Sequence, residues 1–240
     1  QLIRRALRNN PEAAVVVTGC YAQRAPEEIA RIPGVTLVAG NEEKAEIGRI
    51  LKSLPRMQTR ILVEDIQNRK RISNLAATSL AGHTRAFLKI QDGCNARCSY
   101  CIVPLTRGPA RSLPMPEVLS QIGQLADKGY REVVLTGIHL GEYGRDLDPS
   151  TTLADLVTRI LAAGKIERLR LSSIEPVEIT DALLDIFRQS PILCRHLHIP
   201  LQSGDDRILK AMGRDYDTAF YRNLLDKVVS AIPDIAVGID

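Results

Sequence analysis

In Asp92-Gly93-Cys94-Asn95-Ala96-Arg97-Cys98-Ser99-Tyr100-Cys101, three of the chain's five cysteines fall in a C-x3-C-x2-C spacing. Thiolate sulfur is a soft ligand that suits iron, and three thiolates on a short loop match one face of a four-iron cube. Gly93 and Asn95 tolerate the tight turns such a loop needs. Three protein ligands leave one iron open. The competing readings are a zinc knuckle, three unrelated buried thiols, and a disulfide. A closed zinc site takes four ligands, and no second C-x2-C or paired histidine lies nearby. Unrelated buried cysteines have no reason to crowd into eight residues. The spacing therefore favours a cluster, with zinc next.

Outward from this loop the chain repeats a strand-then-helix pattern. Phe87-Leu88-Lys89-Ile90 reads as the strand that delivers the cysteines. Beyond them, helical spacing is expected over 116–128, 153–161, 179–187 and 220–232, and strands over 132–136, 168–172, 193–199 and 235–239. Strands alternating with helices imply right-handed crossovers and a parallel sheet, and helices on the outside let that sheet curl towards a barrel. Four loops then share one mouth at the carboxyl ends of the strands: 94–101, 137–141, 172–175 and 202–204. Cys194 lies inside an apolar strand and is expected in the core. His139, His196 and His198 are expected to be structural.

Upstream, residues 1–8 carry helical spacing, 13–17 and 35–38 read as buried strands, and 26–32 and 42–51 as helices. This is part of a small doubly wound α/β domain. Cys20 stands at the carboxyl end of its first strand, where it is either a small buried hydrophobe or placed for chemistry. Regularity fades over 55–82, although Ile61 and Val63 alternate as in a strand. The basic run Arg69-Lys70-Arg71 reads as a solvated loop, with a phosphate contact as the alternative. The expected organisation is a partial amino-terminal domain over 1–54, a linker over 55–82, and an incomplete barrel over 83–240.

A chain of 240 residues, 45% hydrophobic and 25% charged, can bury more than one core and has the composition of a soluble globular protein. No run approaches the roughly 20 apolar residues of a membrane helix, and the opening Gln1-Leu2-Ile3-Arg4-Arg5 lacks a signal-peptide shape. The expectation is a cytoplasmic protein with no membrane partner. Clustered cysteines in odd number fit a reducing compartment. The net charge of +4 divides unevenly: residues 1–90 carry 15 basic against 8 acidic residues, the rest 17 against 20. A basic front half is compatible with a phosphate-bearing partner, and equally with a solvated surface. The start at Gln1 and the final segment, which reads as a strand without its connection, lead to the expectation of a fragment truncated at both ends.

Cys94, Cys98 and Cys101, with Tyr100 before the last, after the first strand of a βα barrel, resemble the signature of radical S-adenosylmethionine enzymes. Further stretches resemble that family's methylthiotransferase branch: Ile102-Val103-Pro104, Arg107-Gly108, Arg111-Ser112, Leu135 to Gly141, Ser172 to Pro176, His198 to Gly204, and Val17 to Gln23. Within the branch, Thr136 to Gly141 is most similar to the tRNA threonylcarbamoyladenosine enzymes. Leu105 departs from the pattern, since relatives more often place an aromatic residue there.

The resemblance implies a transferase with a [4Fe-4S] cluster whose open iron is chelated by S-adenosylmethionine. The adenosylmethionine is cleaved to a radical that abstracts hydrogen, while the barrel positions the cofactor and excludes water. It implies tRNA as substrate, with a methylthio group added to carbon 2 of adenosine 37, and an electron donor such as flavodoxin or ferredoxin. The alternatives are methylthiolation of isopentenyladenosine or of a ribosomal protein aspartate and, in a different class, a non-catalytic zinc-binding module. Cys94, Cys98 and Cys101 are implied as cluster ligands, and Cys20 as one of three ligands to an auxiliary cluster whose other two are expected before Gln1. Gly137, Ser173, Glu175 and Gln202 are implied to bind S-adenosylmethionine. Arg107 and Arg111 are implied either to hold the cysteine loop or to meet substrate phosphate. A fragment lacking the remaining ligands is expected to lack turnover.

Overall fold

The computed structural model describes residues 1–52, 58–72 and 84–240. The chain divides into two compact units, Gln1–Leu75 with Ile102–Pro109, and Ala76–Cys101 with Ala110–Asp240.

The first unit runs α1 (Leu2–Asn9), β1 (Val15–Thr18), α2 (Cys20–Arg24), α3 (Pro26–Ala30), β2 (Val35–Ala39), a 3-10 turn over Glu43–Glu46, α4 (Ile47–Leu51) and β3 (Arg60–Leu62), and later receives α5 (Val103–Arg107). Its strands form a parallel sheet in the order β1-β2-β3, with Val16 opposite Leu37 and Val38 opposite Ile61. All five residues of β2 are buried, as befits an apolar strand covered on both faces. On one face Val35 and Val38 pack with Val15, Ala22 and Ile29; on the other Leu37 and Ala39 pack with Ile50. This is the doubly wound arrangement expected. Two details differ. The 42–51 helix is divided, its first turn being 3-10. The stretch expected as a linker supplies β3, because the backbone of β2 would otherwise leave one edge unpaired. The rest of that linker, apart from residues 58–72, lies outside the described residues.

The second unit runs β4 (Arg85–Lys89), β5 (Gln91–Asp92), β6 (Arg111–Ser112), α6 (Met115–Asp127), β7 (Glu132–Thr136), α7 (Leu153–Ala163), β8 (Arg168–Leu171), α8 (Asp181–Gln189), β9 (His196–His198), α9 (Asp206–Met212), α10 (Thr218–Ala231) and β10 (Ala236–Gly238). β4, β7 and β8 form a parallel sheet, and β9 pairs in parallel with β10. Bridges Leu169–Leu193 and Ser173–His198 join β8 to β9, so five parallel strands follow in chain order. Alternate residues Val133, Leu135, Leu169, Leu171 and Leu197 are buried, as are Ile122 and Leu125 of α6, Leu156 and Ile160 of α7, Leu184 and Phe187 of α8, and Leu224 and Val228 of α10. Burying each such side chain contributes roughly 1.5–3 kcal/mol. Helix α6 packs on α7, α7 on α8, and α8 on α10. The sheet is thereby covered by successive crossover helices, the architecture of a partial barrel. The two-residue antiparallel ribbon β5–β6 closes the base of the cysteine loop, pairing Asp92 with Arg111.

Candidate metal centre at the carboxyl ends of the strands

Strand β4 and the short β5 lead directly into the cysteine loop. Gly93 takes φ 76°, and its N–H donates to the Asp92 carboxylate at 3.0 Å, which Lys89 Nζ also reaches at 2.7 Å. Gln91, fully buried, donates from Nε2 to the Gly93 carbonyl at 2.8 Å and accepts the His139 N–H at 2.8 Å through Oε1. One amide thus ties the loop's start to the segment after β7. Cys94, Cys98 and Cys101 are unpaired thiols, each half-buried. A turn closes the loop's end, Cys101 N donating to the Cys98 carbonyl at 3.0 Å.

Two of the sulfurs have polar partners. Ala96 N donates to Cys94 Sγ at 3.4 Å, and His139 Nδ1 stands 3.2 Å from the same sulfur. His139 Nε2 lies 3.0 Å from Glu178, and Glu142 completes a group whose ligand atoms all fall within 4.8 Å of one another. Burial opposes the His139 charge, but the Cys94 sulfur and Glu178 outweigh it and push the imidazole up to about 10. Cys98 Sγ is met by Arg214 Nη1 at 3.4 Å. Burial likewise opposes the Arg214 charge, yet Glu175, with Tyr216 and Cys98, holds the guanidinium above its ordinary value.

The other residues implied at the mouth are placed as follows. Gly137 follows β7, where a Cβ would come to 3.0 Å from Gln91 Cβ and Oε1 and 3.3 Å from Leu140 Cα. Close packing against the buried Gln91 is thus a sufficient reason for glycine there. Ser173 is exposed, and its Oγ lies 2.8 Å from His198 Nδ1. Its neighbour Ser172 carries a buried Oγ without a hydrogen-bond partner. Glu175 forms an ion pair with Arg214. Gln202 has φ 68°, in the left-handed region that a glutamine occupies only under strain, and such outliers concentrate at functional sites.

In the first unit, Cys20 opens α2 beside Asn41, Thr106 and Arg107. Burial raises its thiol, but hydrogen bonds from Thr106 and Arg107, the Arg107 charge and Asn41 bring it below the ordinary value. Arg107 is therefore a neighbour of Cys20. Arg111 is among the largest fully buried side chains, which removes it from contact with a solvent-borne phosphate and leaves it at the base of the cysteine loop. Cys194 is half-buried and hydrogen-bonded to Arg168, so the expectation that it lies in the core is corrected. His139, expected to be structural, stands against Cys94. Sequence reasoning also missed Gln91 and Arg214. A hint for His139 was its place two residues after Gly137 at a strand end; Arg214 carried no signal, because Glu175 and Cys98 are 39 and 116 residues away.

A family model described as the Radical SAM superfamily matches residues 88–240. Among curated proteins, the chain is 42% identical to the threonylcarbamoyladenosine tRNA methylthiotransferase MtaB of Bacillus subtilis (strain 168), over 100% of this chain and 53% of that protein. It is 33% identical to the tRNA-2-methylthio-N(6)-dimethylallyladenosine synthase of Carboxydothermus hydrogenoformans, over 99% of this chain and 54% of that protein. The chain thus spans about half the length of the curated relatives it matches. Among solved structures, the cobalamin-dependent S-adenosylmethionine radical enzyme OxsB superposes with a TM-score of 0.63 at 15% identity, over 99% of this chain and 38% of that one, a likeness of fold. The chain belongs to the radical S-adenosylmethionine superfamily, whose cofactors are a [4Fe-4S] cluster and S-adenosylmethionine.

Proposed function

We propose that this chain is the barrel and part of the amino-terminal domain of a methylthiotransferase that modifies carbon 2 of threonylcarbamoyladenosine 37 in tRNA. The observation that carries the reading is the 42% identity, over the chain's whole length, to a threonylcarbamoyladenosine tRNA methylthiotransferase. Over nearly the same span the dimethylallyladenosine synthase is 33% identical, which favours the first substrate over the second. Residues 1–54 would belong to the amino-terminal domain and 83–240 to the barrel. Partners would be tRNA and an electron donor such as flavodoxin or ferredoxin.

The donor set fits the superfamily's cluster. Cys94, Cys98 and Cys101 are three unpaired thiols on one loop, and N–H groups of Ala96 and Arg214 are aimed at two of the sulfurs. These three residues would hold the cluster. When bound, the cluster and S-adenosylmethionine supply the radical chemistry. The chain's own contribution is positional. Gln91 and Asp92 fix where the loop begins, and the mouth presents polar groups from three further strand ends: Ser172 and Ser173 after β8, Glu175 beyond them, and Gln202 after β9. Ser172 Oγ, buried without a partner, and Gln202, strained, are the two with the clearest call for a bound ligand. Gly137, Ser173 and Glu175 remain assigned to the same cofactor. Cys20, its thiol lowered by Thr106, Arg107 and Asn41, is suited to ligate an auxiliary cluster as thiolate.

Nucleoside mass spectrometry of tRNA from cells lacking the gene tests the substrate. The methylthio form of threonylcarbamoyladenosine should disappear and return when the intact gene product carrying this sequence is restored. Loss confined to methylthio-isopentenyladenosine, or to a methylthiolated ribosomal protein, would overturn the assignment.

A further inference from the structure

Where α9 ends, three consecutive residues, Met212, Gly213 and Arg214, touch the cysteine loop. Met212 ends the helix, and its carbonyl accepts the Ser99 N–H at 3.0 Å. Gly213 takes φ 73° and ψ 38°, and a Cβ there would stand 3.4 Å from the Arg97 carbonyl oxygen and 3.8 Å from Cys98 Cα. The cysteine loop therefore lies directly on this turn. Arg214 comes next, with a side chain only 6% exposed. Its Nη1 reaches Cys98 Sγ and Tyr100 Oη at 3.4 Å each, its Nε reaches Tyr216 Oη at 3.2 Å, and its Nη2 pairs with Glu175. The Tyr216 ring stacks on the guanidinium, 5.2 Å from centroid to Cζ, and its Oη stands 3.0 Å from the carbonyls of both Pro200 and Leu201. The turn thus spans from the cysteine loop to the segment that carries Gln202.

An arginine keeps its charge under all ordinary conditions, so burying one requires compensation. The Glu175 carboxylate supplies that compensation. A purely structural pair would be complete at that point, yet a second guanidinium nitrogen is aimed at Cys98 sulfur, a weak acceptor as thiol and a strong one as thiolate. Hydrogen bonds to cluster sulfurs are among the factors that set a cluster's reduction potential, because they withdraw charge from the thiolate and stabilise the reduced, more negative state.

We propose that Arg214 is a positioning residue that donates a hydrogen bond to the Cys98 thiolate, with Glu175 and Tyr216 holding the guanidinium, and so raises the reduction potential of the cluster. The inference rests on the reading of Cys94, Cys98 and Cys101 as cluster ligands.

The test uses the anaerobically reconstituted chain as wild type, Arg214→Lys and Arg214→Gln. Iron and sulfide are counted first, and the midpoint potential is then read by redox titration followed by electron paramagnetic resonance. Arg214→Gln should keep its iron and titrate at a lower potential than wild type, with Arg214→Lys between them. An unchanged potential in a fully loaded Arg214→Gln would overturn the inference while leaving the ligand assignment intact. A second measurement needs no folded glutamine variant: wild type labelled with 15N-arginine should show a nitrogen hyperfine coupling in the reduced cluster that Arg214→Lys lacks, and its absence from wild type overturns the proposal. A wild-type chain that takes up no iron and sulfide would remove the underlying reading, and the inference with it.

Discussion

Glu132 shows how single residues hold the barrel strands in register. It faces Arg85 on one side and Arg168 on the other, each directly opposite in the parallel pairing, and it accepts from Arg170 Nε at 2.9 Å and Arg168 Nε at 3.1 Å. Burial raises its carboxyl, but Arg170, Arg168 and Arg85 outweigh it and bring the pKa below the ordinary 4.5. A depressed carboxyl contributes stability above its unfolded pKa and loses it as pH falls through the folded one. Glu132→Gln should cost about 1–2 kcal/mol at pH 7, since two of the arginines are half-exposed and screened. That deficit should shrink below pH 4.5, as read by urea denaturation across pH. A deficit independent of pH would assign it to packing instead. At this scale the sequence was informative where chemistry is local. The three cysteines declare themselves by spacing, and Gly93 by the turn it makes. His139 and Arg214 do not, because their sulfur partners are 45 and 116 residues away and only the folded strand ends bring them together.

At the level of elements, helix ends carry much of the specification. Helix α7 opens with a capping box, Thr152 Oγ1 accepting from Asp155 N and the Asp155 carboxylate accepting from Thr152 N, and ends at Gly164 in the left-handed conformation. Thr152→Ala should cost about 1 kcal/mol in chemical denaturation without altering iron uptake, because the cap lies on an exposed helix end. A loss of iron in that variant would mean that α7 is coupled to the cysteine loop. The long helices and the five barrel strands were legible because apolar periodicity is strong over ten residues or more. The short elements were not. Helices α2, α5 and α9 have five to seven residues, too few for a periodic signal. The ribbon β5–β6 has two residues per strand and is defined by pairing across 18 intervening positions. Strand β3 is largely exposed and lacks the apolar run that marked β1 and β2, so only the alternation of Ile61 and Val63 hinted at it.

At the scale of the whole molecule, the successive parallel strands of the second unit place their carboxyl ends, and the loops that follow them, at one mouth. The cysteine loop occupies the first of these positions, and the segments after β7 and β8 supply His139 and Glu178 to Cys94 and, through Arg214, Glu175 to Cys98. Among the described residues no helix is long and apolar enough to cross a membrane. On the proposed reading, Cys94, Cys98 and Cys101 hold a four-iron cluster and not a single zinc ion. Counting metal and acid-labile sulfide after anaerobic reconstitution tests it most directly. About four iron and four sulfide per chain are expected, lost when Cys98 is changed to alanine. One zinc per chain with no sulfide, or iron content unchanged in Cys98→Ala, would contradict it.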